Sequence, residues 1–161
     1  MKICNTWSIM PAAWREDTAL CIRKIALADA EAAARLAGEL GYPVSAGEME
    51  KRIRGLAHLA EHAVYVACVA NAVIGWIDVG VVHHLQADAY AEIGGLVVSS
   101  EFRSAGIGRQ LVARAEQWAR DRGVTRMVVR SRVSREAAHR FYLREGYERT
   151  KTSAVFSKAL V

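Results

Sequence analysis

The chain has 161 residues, of which 52% are hydrophobic and 24% charged, and it carries a net charge of +5. Such a chain is typical of one globular domain, and no apolar run approaches the roughly 18 residues that a membrane helix needs. Its three widely spaced cysteines, Cys4, Cys21 and Cys68, favour reduced thiols in a cytoplasm over a disulfide framework or a zinc site.

Residues 1–20 show no clean helical or strand period and no uninterrupted apolar core of a signal peptide. We interpret them as an N-terminal extension whose Trp7 and Trp14 pack on the partner subunit of a homodimer. Residues 21–161 are interpreted as a single domain.

The first half of that domain is predicted to contain a strand over 21–26, a helix capped by Asp29 and stopped by Gly41, and a helix from Ser45 to about Ala60. A hairpin of strands 64–70 and 73–81 around Asn71-Ala72 follows, and 83–89 is predicted to be a loop.

The second half begins with a central strand over 90–98 and a central helix over 106–122. Further predicted elements are a strand over 126–133, a helix over 135–144 capped by Ser134, and closing strands over 147–151 and 155–160. This order predicts an α/β fold, a mixed and mostly antiparallel sheet with helices on both faces.

One stretch, from Ala91 to Leu111, combines a buried strand, a polar turn and the start of an amphipathic helix. Gly106 and Gly108 let backbone N–H groups approach a bulky anion, and a helix N-terminus favours negative charge. Two arginines, Arg103 and Arg109, flank the turn. The stretch therefore predicts a phosphate-binding turn, although it lacks the Gly-Lys-Ser/Thr of a P-loop and the third glycine of the dinucleotide fingerprint.

The Arg-x-x-Gly-x-Gly turn between a buried strand and a long helix resembles the acetyl-CoA-binding motif of the GNAT superfamily of N-acetyltransferases. The segment from Ala138 to Tyr147 resembles that family's Ala-x-x-Phe-Tyr-x-x-x-Gly-Phe/Tyr segment. The likeness runs from about Cys21 to the C-terminus and is strongest from Glu92 to Tyr147. It implies a GNAT-like sheet, acetyl-CoA as co-substrate, and direct acetyl transfer to a primary amine of a small molecule or protein, without a metal.

The resemblance also implies which residues hold the co-substrate. Backbone groups of the central strand would bind the pantetheine arm where a bulge opens the sheet, and the turn would wrap the pyrophosphate. The implied cofactor-binding residues are Leu96, Val97, Val98, Arg103, Ser104, Ala105, Gly106, Ile107, Gly108 and Arg109.

Acetyl transfer to an amine needs a base, because an alkyl ammonium has a pKa near 10.4 in water and cannot attack while protonated. Glu92 is the best carboxylate: alternation along the strand would place it on the face of Gly94 and Leu96, and a histone-acetyltransferase branch of the family uses such a glutamate as base. Roughly 13 Å of strand separates Glu92 from Leu96, which favours a water relay. Asp78 and Asp88 are the next candidates.

Tyr142 matches the tyrosine that protonates the leaving thiolate in that family. Where many members carry Asn seven residues earlier, this chain has Arg135, so a side-chain contact to the co-substrate is lost or replaced by a charged one. No cysteine falls in the motif region, which disfavours a cysteine acyl-enzyme.

The sequence leaves two other functions open. A non-catalytic acyl-CoA sensor on the same fold is one alternative, and nucleic-acid binding by the basic chain is a weaker one because aromatic residues do not interleave the basic segments.

The segment His58-Leu59-Ala60-Glu61-His62 fits an inverted zinc-protease signature, which we interpret as a chance match. His83 and His84 are interpreted as a loop pair. The acceptor amine stays open.

Overall fold

The computed structural model describes residues 19–160. Within that range the strands are β1 (Cys21–Lys24), β2 (His62–Val69), β3 (Ala72–His84), β4 (Ala87–Val98) and β5 (Met127–Val129). The α-helices are α1 (Ala30–Leu40), α2 (Ala46–Ala57), α3 (Ile107–Arg120) and α4 (Glu136–Arg144). The interpretation of the N-terminal extension, with Trp7 and Trp14, falls almost wholly outside the described residues.

The five strands form one sheet in the order β1-β2-β3-β4-β5. Neighbours are antiparallel from β1 to β4, whereas β4 and β5 are parallel. The predicted fold class, a mixed and mostly antiparallel sheet in an α/β protein, is confirmed. The chain divides into one compact unit that ends at Val129 and a second that begins at Arg130, and the single domain stays a prediction.

Helices α1 and α3 pack on opposite faces of the sheet. Trp76 of β3 donates through its indole N–H to the carbonyl of Ala33 in α1, at 3.2 Å. A side chain at the adjacent Gly75 would instead meet Leu111 of α3. Because neighbouring residues of a strand point to opposite faces, these two contacts assign α1 to one face and α3 to the other.

Each face has its own apolar core. On the α1 face the buried residues include Leu36, Val66, Cys68, Val73 and Val97. On the α3 face Tyr65, Ile77, Leu111, Val112 and Ala115 are almost wholly shielded from solvent. The helical spacing of the buried α3 residues matches the apolar stripe read from the sequence.

The hairpin region departs from the sequence-based expectation. Ala70 and Asn71 both have positive φ, 47° and 65°, so the turn lies one residue earlier than predicted. The predicted loop over 83–89 is wrong, because β3 continues to His84 and β4 begins at Ala87. His84 and Tyr90 hydrogen-bond across these strands, at 3.1 Å, and extend the pairing.

The C-terminal predictions are also corrected. Neither closing strand is present in the described residues after α4, and Val155 and Phe156 are 89% and 92% exposed. A strand needs a partner for its backbone hydrogen bonds, and the apolar pattern alone does not supply one. Strand β5 is much shorter than 126–133, α2 ends at Ala57, and the N-cap of α4 is Arg135 and not Ser134.

Asp29 precedes α1 as predicted, but its carboxylate makes no capping hydrogen bond to that helix. It accepts two hydrogen bonds from the Arg23 guanidinium, at 2.7 and 2.8 Å, and one from the Ala26 backbone N–H at 2.7 Å. The carboxylate is almost fully buried. The hydrogen bonds from Arg23, aided by that of Ala26, lower the pKa of Asp29 against the opposing effect of burial. This ion pair joins β1 to the start of α1.

We predict that Asp29→Asn lowers the free energy of unfolding by about 2 to 3 kcal/mol, because it leaves a guanidinium without its buried counter-ion. Since the pKa of Asp29 is lower in the folded chain, the stabilisation is complete above the unfolded pKa of about 3.9 and is lost as the pH falls through the folded value. Denaturant titrations at neutral and acidic pH test both points.

The matched control is Glu50→Gln, which removes an exposed ion pair with Arg54 within α2. Such a pair contributes at most about 0.5 kcal/mol. Equal unfolding free energies for Asp29→Asn and wild type would contradict the prediction.

Candidate active site

The turn before α3 has an unusual backbone. Ser104 and Gly106 both have positive φ, 67° and 77°, and Ala105 lies between them. Left-handed residues in a tight turn aim successive backbone N–H groups to one side, which produces a concave site for an anion. Gly106 is the N-cap residue of α3, so this turn leads directly into the helix.

The N-terminus of α3 is left open to an anion by its own sequence. Its N-cap makes no side-chain hydrogen bond, and its first turn contains no acidic residue. The first backbone N–H groups of a helix have no partner within it, and the helix dipole adds partial positive charge there. Ile107 and Leu111 are buried and anchor this end in the core. The geometry therefore suits a phosphate.

Arg103 contacts the end of β4 and helix α1. Its Nε donates to the carbonyl of Val98 at 3.3 Å, and its guanidinium lies 3.9 Å from the Glu39 carboxylate. The same carboxylate accepts a hydrogen bond from the backbone N–H of Ser100 at 2.9 Å. Glu39 of α1 thus tethers the turn, while the Arg103 side chain stays more than half exposed.

Strand β4 contains a bulge. Ile93 pairs with Val79 and Gly95 with Asp78, so Gly94 has no partner on β3. The extra residue shifts the alternation of side chains by one. Glu92 pairs with Gly80 and Leu96 with Ile77.

These pairs correct one prediction. Paired residues of antiparallel strands share a face, and Gly80 and Ile77 are an odd number of residues apart in a regular stretch of β3. Glu92 and Leu96 therefore lie on opposite faces of the sheet, not on the same face.

The sheet ends early beside the bulge. Strand β5 pairs with β4 only at Ala91, Glu92 and Ile93, and it stops at Val129. Strand β4 continues to Val98, so residues 94–98 extend beyond its pairing with β5. Val97 is buried in the α1 face, whereas Leu96 and Val98 are partly exposed. The predicted pantetheine-binding segment is thus the part of β4 that lies beyond β5.

Tyr142 belongs to the second unit and lies in α4. Its ring makes edge-to-face contacts with Phe141 and Tyr147, with centroid distances of 5.1 and 5.5 Å. Burial raises the pKa of the Tyr142 phenol to about 12, and the nearby Arg135 guanidinium lowers it only in part. The phenol is therefore protonated throughout the neutral range and able to donate a proton.

The segment that matches the zinc-protease signature does not form the helix that this signature requires. Helix α2 ends at Ala57, so His58 and His62 do not share a helical face, and His62 begins β2. Within residues 19–160 no three His, Cys, Asp or Glu side chains are grouped to hold a metal ion. His83, on β3, contacts Glu61 at 3.0 Å.

One contact was missed by sequence reasoning. The His62 ring is hydrogen-bonded through Nε2 to the Asp78 carboxylate, which was named only as a reserve candidate base. The two residues are sixteen positions apart, on β2 and β3, and meet only through the strand register. The one signal in the sequence was His62 as part of the zinc-protease motif, which we interpreted as a chance match.

The comparisons with known proteins agree with this geometry. Residues 29–147 match the profile of the Acetyltransferase (GNAT) family. The chain belongs to this family, whose members are acetyl-CoA-dependent acyltransferases, and the prediction of an N-acetyltransferase of the GNAT superfamily is confirmed. Among residues 19–160, no helix combines the length and the hydrophobicity that a membrane span requires.

Two relatives illustrate the range of acceptors. An aminoglycoside N(6′)-acetyltransferase type 1 of Stenotrophomonas maltophilia is 32% identical over 145 residues, covering 86% of this chain and 93% of the relative. An aminoalkylphosphonate N-acetyltransferase of Salmonella typhimurium is 42% identical over 89 residues, covering 55% of this chain but only 56% of the relative.

A solved structure shows the same fold. The aminoglycoside N-acetyltransferase AAC(6′)-Iy in complex with CoA matches with a TM-score of 0.80 and 17% identity, over 91% of this chain and 99% of that chain.

We predict that Gly108→Val weakens acetyl-CoA binding by at least about 100-fold, or about 2.8 kcal/mol, because a branched side chain at the start of α3 keeps phosphate from the backbone N–H groups. The fold should survive, since valine is no worse than glycine within a helix. Calorimetry measures the affinity.

Gly55→Val is the matched control, because a Cβ added at this glycine of α2 would meet nothing within 4 Å. Unchanged acetyl-CoA affinity in a folded Gly108→Val variant would exclude the turn as the phosphate site.

Proposed function

We propose that this protein transfers the acetyl group of acetyl-CoA directly to a primary amine of a small molecule or protein. The observation that supports this most is the turn before α3, where Ser104 and Gly106 are left-handed and the helix N-terminus has no side-chain cap. In a member of an acetyltransferase family, that turn suits the pyrophosphate of CoA.

The co-substrate would occupy a continuous path along the end of β4. Backbone groups of the segment 96–98 would bind the pantetheine arm, beyond the point where β5 stops. The turn 103–108 and Arg109 would surround the pyrophosphate. Acetyl-CoA itself supplies the activated thioester.

Proton transfer is assigned to two side chains. Glu92 would orient and polarise a water through which the acceptor ammonium loses its proton. Tyr142, whose phenol is kept protonated by its raised pKa, would supply a proton to the departing thiolate. No covalent enzyme intermediate is invoked, since Cys21 and Cys68 lie on β1 and β2, far along the chain from both motifs. A cytoplasmic location and a homodimer remain predictions.

The acceptor is best sought among two chemical classes. The relatives named above act on aminoglycosides, which are polycationic, and on aminoalkylphosphonates, which carry an anion beside the amine. A panel of both classes, with polyamines and a lysine peptide, should show acceptor-dependent release of free CoA. Binding of acetyl-CoA without release of CoA for any amine would favour the sensor alternative.

We predict that Tyr142→Phe lowers kcat by roughly 10- to 1000-fold while the affinity for acetyl-CoA is nearly unchanged, because the change removes a proton donor and little volume. Since the phenol pKa is about 12, wild-type kcat should not decline between about pH 7 and pH 10 through loss of this proton. Single-turnover kinetics over that range provide the measurement.

Tyr147→Phe is the control, since it removes a hydroxyl from the ring that contacts Tyr142. A wild-type single-turnover rate in Tyr142→Phe would return Tyr142 to a structural role.

We predict that Glu92→Gln lowers kcat/KM strongly at pH 7, by about 100-fold, and that the loss shrinks as the pH approaches the acceptor's own pKa near 10.4, where the free amine needs no base. The pH profile of kcat/KM for the best amine of the panel tests this.

Glu116→Gln is the control, a carboxylate of α3 paired with Arg120. Parallel profiles for Glu92→Gln and wild type between about pH 6 and pH 10 would show that proton removal does not depend on Glu92.

A further inference from the structure

A histidine and a carboxylate contact each other on the surface of the sheet. His62 of β2 is hydrogen-bonded through Nε2 to Oδ1 of Asp78 on β3. Their side chains are 22% and 30% exposed, so each is held in place yet can be reached by a small molecule. Within residues 19–160 this is the hydrogen bond that the His62 ring makes, and its Nδ1 is left for another partner.

Two glycines make room for this pair. A Cβ at Gly80 would lie 2.8 Å from Nδ1 of His62, and a Cβ at Gly94 would lie 2.9 Å from Oδ2 of Asp78. Real Cβ atoms essentially never approach other heavy atoms so closely. The ring and the carboxylate thus lie directly over bare backbone, and Gly94 is the bulged residue of β4.

The strand register places Glu92 beside the pair. Gly80 is opposite His62 on one side and opposite Glu92 on the other. Since neighbouring strands are about 4.8 Å apart, roughly 10 Å separates the Cα atoms of His62 and Glu92 across the glycine. Directly opposed residues share a face of the sheet, so the side chains of His62 and Glu92 lie on the same face, on either side of Gly80.

The contact also determines the chemistry of the ring. An ionised carboxylate only accepts hydrogen bonds, so Nε2 of His62 carries the proton that binds Asp78. In a neutral imidazole, Nδ1 is then the acceptor and the basic atom. A carboxylate behind the ring fixes this tautomer and stabilises the imidazolium that forms when a proton arrives.

We propose that His62 is a proton-accepting residue of the acetyl transfer, with Asp78 as its positioning residue and Glu92 holding the relaying water on the opposite side of Gly80. The assignment rests on the proposed function. An N–H bond of the acceptor ammonium breaks, its proton passes to the water, and that water gives one of its protons to Nδ1. The neutral amine then attacks the thioester carbonyl and a C–N bond forms. As the C–S bond breaks, Tyr142 protonates the departing CoA thiolate, and the second proton of the attacking nitrogen passes to solvent, from which Tyr142 is reprotonated. The imidazolium returns its proton to solvent.

The first test needs no substrate. Nitrogen NMR of the imidazole rings in the free protein, at about pH 9 where a free imidazole is neutral, should show the Nε2-protonated tautomer for His62. Asp78→Asn should shift the population towards the other tautomer, because an amide can present a donor to the ring. A proton on Nδ1 of His62 in the wild-type protein would overturn the proposal.

The second test is kinetic. Glutamine at position 62 can still donate a hydrogen bond to Asp78 but has no basic nitrogen. With the amine that wild type acetylates fastest, the single-turnover rate of His62→Gln should fall at least about 100-fold, while calorimetry shows unchanged affinity for acetyl-CoA. His83→Gln is the matched control, since His83 contacts Glu61, the residue before β2, and should keep the wild-type rate.

Two further variants separate chemistry from structure. His62→Ala should regain rate when imidazole is added, which a purely structural loss would not. Gly80→Ala keeps both residues but forces the His62 ring to move, and its rate should fall, whereas Gly55→Ala in α2 should not change it.

The outcomes distinguish this assignment from the function on which it rests. If wild type releases CoA with no amine of the panel, the proposed function fails and this assignment fails with it. If wild type turns over and His62→Gln keeps the same single-turnover rate, only the role of His62 is overturned.

Discussion

The extra residue in β4 is the constraint on which the site depends. Because Gly94 has no partner on β3, the side chains before it and after it are out of phase. Glu92 consequently lies beside Gly80 on the α1 face of the sheet, while Leu96 lies on the α3 face. Without the bulge both side chains would lie on one face, so the carboxylate would share that face with the side chain of the segment that we propose binds pantetheine.

The bulge also coincides with the end of the β4–β5 pairing. A strand that loses its neighbour exposes backbone N–H and C=O groups, which need other partners. In this protein the backbone groups of β4 beyond its pairing with β5 lie between the bulge and the left-handed turn before α3. The amide groups of a pantetheine arm are suitable partners for a strand edge, and the diphosphate is a suitable partner for a helix N-terminus. One extended ligand can therefore satisfy both.

Local patterns were enough to predict some elements and not others. The stripe of Leu111, Val112 and Ala115 predicted α3 because a helix is formed by contacts within a few residues. Val155 and Phe156 also follow a strand-like pattern, yet they form no strand and are exposed. A strand depends on a partner elsewhere in the chain, and its pattern does not encode whether that partner is present.

The residues of the candidate site also differ in whether the local sequence predicts them. The glycine turn and the tyrosine segment are contiguous motifs, so sequence reasoning found them, together with the family and the class of enzyme. The His62–Asp78 contact arises only from the pairing of β2 with β3. The opposite faces of Glu92 and Leu96 arise from one unpaired glycine in a Gly-Gly doublet, and nothing local tells which strand residue will be skipped.

The two faces of the sheet differ in what they offer a polar acceptor. On the α3 face the strands contribute Tyr65, Ile77 and Val79, which are almost wholly buried beneath the helix. A polar amine gains nothing there and would lose its hydration. On the other face α1 covers Trp76, but the neighbouring surface carries His62 over Gly80 and Asp78 over Gly94, with Glu92 opposite Gly80. Charged groups next to partly exposed backbone can replace the water around an ammonium. An amine that approached β4 from this face would meet the groups that we propose to take its proton.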